Sequence, residues 1–276
     1  MDRVFLRPQF AVYYRRARRL RLTSEVRSDY AVIFPLEGRL IATVAGAEME
    51  AGHASALLIN PGGTFSAASR EEAAVLMLTL TPVFVLGLAV RLRLTLSGAT
   101  IVFSSEMIEG DARLAQLARD LTGELMEEEA GQDVVITAQV EQALVHLLRH
   151  HANVRRSDEL ELSRVGLVDR RIRRAVEMMH AHMDRDLSIE ELASAAYLSP
   201  FHFARLFKKL TGASPHAYLA SLRVERAQQL LAETDLSISE LSARVGYSSP
   251  SHFSKAFRQA TGLTPRTFRA SLVRAD

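Results

Sequence analysis

Two kinds of hydrophobic pattern follow each other along this chain. Up to about residue 103, apolar residues form short runs that turn residues interrupt, as at Gly38, Gly52 and Pro61. Four of these runs have the length and composition of β-strands, at 30–34, 39–44, 55–59 and 75–80. Short strands with turns this frequent predict an antiparallel barrel or jelly roll.

From about residue 104 to residue 152 the apolar spacing becomes that of helices. One stripe comprises Ile108, Leu114, Leu117, Leu121 and Leu125, and a second comprises Ile136, Val140, Leu144, Leu147 and Leu148. Gly131 lies between the two stripes. The pattern therefore predicts an antiparallel helical hairpin whose apolar faces pack against the barrel.

The strongest pattern is a helical unit that occurs twice between residues 188 and 269. The first copy contains Ser-Pro-Phe-His-Phe from Ser199, and the second contains Ser-Pro-Ser-His-Phe from Ser249. The copies are offset by 49 residues over their leading helices and by 50 from His202 and His252 onward. A tandem match of this length, with one residue inserted in the second turn, indicates a duplicated structural unit.

Each copy predicts a helix, a tight turn and a second helix. Ser188 and Ser237 are N-cap residues, and the glutamate three positions after each completes a capping box. A proline opens each second helix, and Gly212 and Gly262 end it as left-handed C-caps. This is the helix-turn-helix arrangement, in which the second helix lies in the major groove of DNA.

One long helix, roughly Pro215 to Ala232, joins the two copies. At 1.5 Å per residue it holds them a few tens of ångströms apart. That separation is comparable with the distance of about 34 Å between successive major grooves on one face of DNA.

Because they contain these motifs, residues Asp169 to Arg274 resemble the DNA-binding domain of the AraC/XylS family of bacterial transcription regulators. The β-rich N-terminal part resembles the cupin-like sensor half of the same family. The resemblance implies an α+β chain. A sensor and dimerisation domain at 1–152 would comprise a cupin-like β-barrel at about 1–103 and the helical hairpin at about 104–152. After a linker at 153–168, an all-α DNA-binding domain at 169–276 would contain two helix-turn-helix motifs, at about 188–209 and 237–259.

The position of a residue on each second helix selects the candidate DNA contacts. Base contacts are expected on the exposed face near the N-terminal end of each second helix, and the resemblance places them there as well. The residues at these positions are Phe201, Ala204 and Arg205 in the first copy and Pro250, Ser251, Ser254 and Lys255 in the second. Arg205 is the strongest candidate, because an arginine binds guanine O6 and N7 with two hydrogen bonds. The predicted phosphate contacts are Lys208, Lys209 and Arg258. The residues predicted to pack in the core are Phe203, Phe207, Phe253 and Phe257, with His202 and His252 beside them.

The charge distribution agrees with a nucleic-acid partner. Residues 169–276 contain 16 Lys and Arg against 11 Asp and Glu, whereas the whole chain has 34 against 32. The positive excess is therefore confined to the part that carries the repeats, as binding to phosphates requires.

The composition excludes several kinds of chemistry. The chain has no cysteine, and therefore no disulfide, no thiolate zinc site and no cysteine nucleophile. The barrel region has one histidine, His53, whereas enzymatic cupins hold a metal with clustered histidines. His146, His150 and His151 have a spacing that can bind a metal, but the sequence offers no evident acidic partner. No catalytic residue, metal or cofactor is predicted.

No membrane or export signal is evident in the sequence. The arginine-rich N-terminal region lacks the apolar core of a signal peptide. The longest apolar stretch, Val75 to Val90, is broken by Pro82 and Gly87 and is too short to span a bilayer. We expect a soluble cytoplasmic protein without a membrane partner.

The resemblance implies a sequence-specific regulator that binds double-stranded promoter or operator DNA. Activation is the commoner behaviour in the family, so an activator that contacts RNA polymerase is predicted. A small-molecule effector would bind in the N-terminal domain, at Phe34, Leu36, Ile41 and Phe65.

Two questions stay open at this point. The helices at 104–152 either pack only against the barrel or also form a homodimer interface, as the family resemblance suggests. The alternative function is that of a small-molecule binding module or cupin-type enzyme whose DNA-binding half is vestigial.

Overall fold

The short apolar runs of the first half form strands, as predicted. A computed structural model describes residues 2–24, 29–94, 100–127, 129–155, 170–211 and 214–273. These residues belong to two units. The N-terminal unit contains residues up to 155 and those from Ser271 onward, and the C-terminal unit contains residues 170–270.

Two antiparallel sheets form most of the N-terminal unit. In spatial order, the six-stranded sheet consists of β1 (Asp2–Arg7), β2 (Phe10–Ala17), β9 (Ala73–Leu80), β4 (Tyr30–Glu37), β7 (Ser55–Ile59) and β11 (Met107–Glu109). The four-stranded sheet consists of β3 (Arg21–Ser24), β8 (Phe65–Ala68), β5 (Leu40–Val44) and β6 (Ala47–Ala51). The first half is therefore β-rich, and each of the four predicted runs corresponds to a strand, although Arg39 precedes β5.

A third strand pair corrects the predicted start of the linker. β12 (Ala152–Arg155) pairs with β10 (Thr100–Phe103), with Asn153 opposite Val102. Residues 153–155, predicted to begin the linker, therefore end the N-terminal unit because their backbone groups complete this pair. The rest of the predicted linker, 156–168, lies outside the described residues.

The apolar stretch from Val75 to Val90 is a strand followed by a helix. After β9, Thr81 accepts a hydrogen bond from the backbone N–H of Phe84 and so caps α1 (Pro82–Arg91). Pro82 is at the first helical position, where its missing N–H leaves no hydrogen bond unmade. Pro82, predicted to break the apolar stretch, therefore starts a helix.

The helical hairpin is present as α2 (Ala112–Met126) and α3 (Gln132–His150). Gly131 begins α3 with a φ of 82°, which a residue with a side chain rarely adopts. Ile108 is not part of the first stripe, because it lies in β11 opposite Ala56. Every other residue of the two stripes is buried in the core shared with the six-stranded sheet. The stripes therefore pack within the unit.

The C-terminal unit is all-α, as predicted. Its helices are α4 (Arg170–Ala181), α5 (Ile189–Ala195), α6 (Pro200–Thr211), α7 (Pro215–Glu233), α8 (Ile238–Arg244), α9 (Pro250–Thr261) and α10 (Pro265–Ser271). The long connecting helix α7 has 19 residues, or about 28 Å at 1.5 Å per residue. None of the described helices combines the length and hydropathy that crossing a bilayer would require.

Candidate nucleic-acid interface

Both predicted capping boxes are present. The Ser188 hydroxyl accepts the backbone N–H of Glu191 at 3.1 Å, and the Glu191 carboxylate accepts the N–H of Ser188 at 3.2 Å. Ser237 and Glu240 make the same exchange at 3.2 and 2.8 Å. These hydrogen bonds hold the pKa of both glutamates below the usual range, with help from Arg185 at Glu191. The leading helix of each motif therefore starts at the predicted residue.

Each second helix is held by a pair of phenylalanines, as predicted. Phe203 and Phe207 in α6, and Phe253 and Phe257 in α9, are fully buried. Their ring centroids lie 5.4 Å apart in the first pair and 5.6 Å apart in the second. The edge-to-face contact of Phe207 with Tyr218 recurs as that of Phe257 with Phe268, fifty residues on. The repeat in sequence is thus also a repeat in packing.

The predicted DNA contacts lie on the faces of α6 and α9 away from these phenylalanines. Phe201, Arg205, Lys208, Pro250, Ser251, Lys255 and Arg258 are exposed, and Ala204 and Ser254 are half-buried. Lys209 lies in α6, but its side chain is outside the described part of the structure. Phe201 is 79% exposed, so no packing within the unit explains this large apolar ring.

His202 and His252 belong to the same exposed faces, and the prediction that they pack in the core is wrong. Both side chains are exposed, although each directly precedes a fully buried phenylalanine. Successive residues on a helix point about 100° apart, so neighbours in sequence do not share a face. The helical period around Phe203 and Phe253 was the signal that could have placed both histidines on the exposed faces.

The turn of each motif requires a backbone conformation with positive φ at equivalent positions. Tyr197 has a φ of 53° in the first motif, and Gly246 has a φ of 84° in the second. Tyr197 is 77% exposed, and the guanidinium of Arg174 in α4 lies 5.2 Å from the centre of its ring. Such a cation–π contact helps to hold a strained tyrosine in place.

Gly246 also lies where the two motifs meet. A Cβ atom at this position would be 2.2 Å from the carbonyl oxygen of Met183 and 2.9 Å from the guanidinium of Arg223. Arg223, in α7, donates to the carbonyls of Met183 and Arg185 at 2.8 and 2.7 Å. These carbonyls precede the first motif and Gly246 lies in the turn of the second. The loop before the first motif and the turn of the second are therefore in close contact at this junction, which no pattern in the sequence predicted.

The N-terminal unit contains a cavity of about 230 Å³ between the six-stranded sheet and α2. Phe34 and Leu36, two of the predicted effector contacts, line it. The other two lie on the four-stranded sheet, where Phe65 is buried and Ile41 is 39% exposed. Side chains alternate along β5, so Leu40 and Ala42 point inward and Ile41 points outward. The four predicted contacts are thus not brought together.

The lining of this cavity also includes the polar side chains of Glu37, His53 and Arg119. Glu37 is paired with Arg16 at 3.0 Å, and Arg119 donates to Gln116 at 2.6 Å. The lining of the cavity thus combines apolar side chains with groups of both charges.

The structure also brings an acidic partner to two of the three clustered histidines. Asp111 lies within hydrogen-bond distance of both His146 and His151. The prediction that these histidines lack an acidic partner is therefore wrong, because the hairpin brings together residues that are 35 and 40 positions apart.

Comparison with protein families decides the class of this chain. Residues 9–152 match the family of AraC-binding-like domains, and residues 192–271 match a family of helix-turn-helix domains. The chain belongs to the AraC/XylS family of transcription regulators. Its class is thus that of a transcription regulator and not of an enzyme.

The curated relatives of this AraC/XylS family member match it over part of its length. The regulatory protein PocR of Salmonella typhimurium is 36% identical over 78 residues, which are 28% of this chain and 26% of PocR. The lactose operon transcription activator of Staphylococcus xylosus is 34% identical over 82 residues, 30% of this chain and 29% of the activator. The match thus spans less than a third of the length of either relative.

Among solved structures, ToxT from Vibrio cholerae O395 is similar over 97% of this chain and 99% of its own. The TM-score is 0.63 and the sequence identity is 12%. At this identity the likeness extends to the fold alone.

Proposed function

We propose that this AraC/XylS family member is a sequence-specific DNA-binding regulator in which α6 and α9 enter successive major-groove segments of one promoter or operator site. The observation that carries the proposal is that α6 and α9 each have an exposed face, while the opposite face of each helix is held by an equivalent pair of buried phenylalanines. Their motifs are joined at Arg223 and Gly246. A fixed separation suits a site read on one face of the duplex.

Two kinds of contact follow from the chemistry of the exposed side chains. Arg205 would bind a guanine, and Phe201 and Ala204 would contact thymine methyl groups. In α9 the base contacts would come from Pro250, Ser251, Ser254 and Lys255. Phosphate contacts from Lys208, Lys209 and Arg258 would position the helices without reading sequence. In the described part of the chain, no hydrogen bond or ion pair engages the side chains of Arg205, Lys208, Lys255 and Arg258, which supports their availability to DNA.

A small-molecule effector would bind in the cavity between the six-stranded sheet and α2. We infer a ligand with an apolar body against Phe34 and Leu36 and a polar group facing His53 and Arg119. Two facing sheets in a cupin-like arrangement would form the scaffold of this sensor unit. The cavity touches α2 directly, so α2 is the element whose position an effector would change.

Activation through contact with RNA polymerase is proposed from the family resemblance. A homodimer through residues 104–152 would have to use the outer surface of the hairpin, because its apolar stripes are buried within the unit. Val134 offers an apolar contact on that surface, where it is 67% exposed.

The proposal is tested by fluorescence anisotropy of the full-length protein with DNA from upstream of its own gene and neighbouring genes. We expect one fragment to bind at least a hundredfold more tightly than a scrambled control at physiological salt. Equal affinity for every fragment, at every salt concentration, would leave only non-specific phosphate binding and would refute the proposal.

A further inference from the structure

A cluster of two histidines and one carboxylate lies at one end of the helical hairpin. Asp111 directly precedes α2, His146 lies in the last turns of α3, and His151 directly follows α3. The Nε2 atoms of His146 and His151 lie 2.8 and 2.7 Å from the same Oδ2 atom of Asp111. The three side chains are 16 to 23% exposed, so the cluster is shielded but reachable from solvent.

Helix capping accounts for only one of the two oxygens of Asp111. Its Oδ1 atom accepts the backbone N–H groups of Arg113 and Leu114 at 3.1 and 3.0 Å, which starts α2. Burial raises the pKa of the Asp111 carboxyl, but the N–H of Leu114 and the two histidines more than offset this and the net shift is downward. The carboxylate is therefore anionic at neutral pH, with Oδ2 directed at both imidazoles.

This set of donor atoms suits a transition-metal ion. Zinc is bound by imidazole nitrogen and carboxylate oxygen at about 2.0–2.2 Å, so tetrahedral donors lie about 3.3 Å apart. The ligand atoms of Asp111, His146 and His151 all lie within 4.8 Å of one another. Moving the Oδ2 atom of Asp111 about half an ångström further from each Nε2 atom would bring these two distances to the tetrahedral spacing. The exposed side of the cluster leaves the fourth position to water.

We propose that Asp111, His146 and His151 form a binding site for one divalent transition-metal ion, of which Zn²⁺ fits best. Hard cations such as Mg²⁺ prefer oxygen donors and bind such a site poorly. The Nε2 atoms must be free of protons to bind the ion, so Zn²⁺ and protons compete for the two histidines.

The bound ion cross-links the start of α2 to the end of α3. It also secures the strand that follows, because the backbone N–H and the hydroxyl of Ser104 donate to the carbonyl of His151 at 2.9 and 3.0 Å. β12 begins at the next residue, Ala152. The site thus stabilises the end of the N-terminal unit from which the chain continues towards the DNA-binding unit.

The test uses full-length protein without an affinity tag, treated with a chelator and titrated with Zn²⁺ by calorimetry. We expect one Zn²⁺ per chain with a dissociation constant in the micromolar range or below, no comparable binding of Mg²⁺, and a thermal midpoint that rises with Zn²⁺. His146→Ala, His151→Ala and Asp111→Asn should each weaken binding at least tenfold. Asp111→Asn is decisive, because asparagine also caps helices and so preserves the start of α2.

His150→Ala is the matched control. Its ring lies 4.7 Å from that of His146, but His150 is exposed and is not one of the three clustered ligands. We expect its Zn²⁺ affinity to stay within twofold of the wild type. The proposal is overturned if the wild type lacks a one-to-one site, or if a folded Asp111→Asn variant binds Zn²⁺ as the wild type does.

Discussion

At the residue scale, Arg205 and Lys208 lie less than one turn apart on the exposed side of α6 and are proposed to act differently on DNA. The forked guanidinium of Arg205 matches two acceptors of one guanine, whereas the ammonium of Lys208 attracts any phosphate. The pair therefore separates the reading of sequence from attraction to the backbone.

Arg205→Ala should cost about 1–3 kcal/mol in binding to the best site and relax the preference at one or two base pairs. Lys208→Ala should weaken binding to all sequences alike and reduce the salt dependence by about one phosphate contact. Titrations at several salt concentrations, on the best site and a scrambled one, measure both effects. If both variants lose the same share of specific and non-specific affinity, Arg205 is only a phosphate contact.

Gly246 is the residue whose replacement should be most costly to the junction between the motifs. Gly246→Ala combines a positive φ of 84° with a Cβ atom 2.2 Å from the carbonyl of Met183. The left-handed backbone alone costs about 1–2 kcal/mol for a residue with a side chain, and the clash adds to it. Thermal unfolding should show a lower midpoint for the C-terminal unit.

Gly123→Ala is the control for that experiment, since Gly123 lies within α2 and a Cβ atom there would meet nothing within 4 Å. Alanine favours a helix interior over glycine by about 0.5–1 kcal/mol, so this variant should be at least as stable as the wild type. A Gly246→Ala protein that unfolds at the wild-type temperature would show that the junction tolerates a side chain.

At the scale of elements, helix starts could be predicted from sequence because a capping box uses only neighbouring residues. Ser188 and Ser237 are examples. The strand β12 could not be predicted, because its residues pair with those of β10, which lie 49 to 55 positions earlier in the sequence. For the same reason Asp111 was not connected with His146 and His151. Contacts between elements depend on tertiary packing, which local sequence patterns do not predict.

Ser237→Ala should destabilise the second motif by about 1 kcal/mol, because the N–H of Glu240 loses its acceptor. Ser237→Asp keeps an acceptor at the cap and places a negative charge at the helix start, so it should retain the stability. Denaturant unfolding followed by helical circular dichroism measures the difference. Equal losses in both variants would mean that the hydroxyl does not act as the cap.

At the scale of the whole molecule, the family and the order of its parts could be predicted from the tandem repeat and the change of hydrophobic period. Which residues line the cavity could not be predicted in the same way. Phe34 and Leu36 lie at one cavity, whereas Ile41 and Phe65 lie on the other sheet. Apolar composition marks a strand residue as a candidate, but only the position of its strand in the sheets decides which cavity it lines.

The central claim is that α6 and α9 read two adjacent major-groove segments of a single site. Hydroxyl-radical footprinting of full-length protein on its best DNA fragment tests it most directly, with Arg205→Ala and Lys255→Ala as variants. We predict two protected segments about 10 base pairs apart on one face of the duplex, with each variant weakening only one of them. The claim would be contradicted by one continuous protected segment that both variants weaken equally. It would also be contradicted by a second segment whose protection is unchanged in Lys255→Ala.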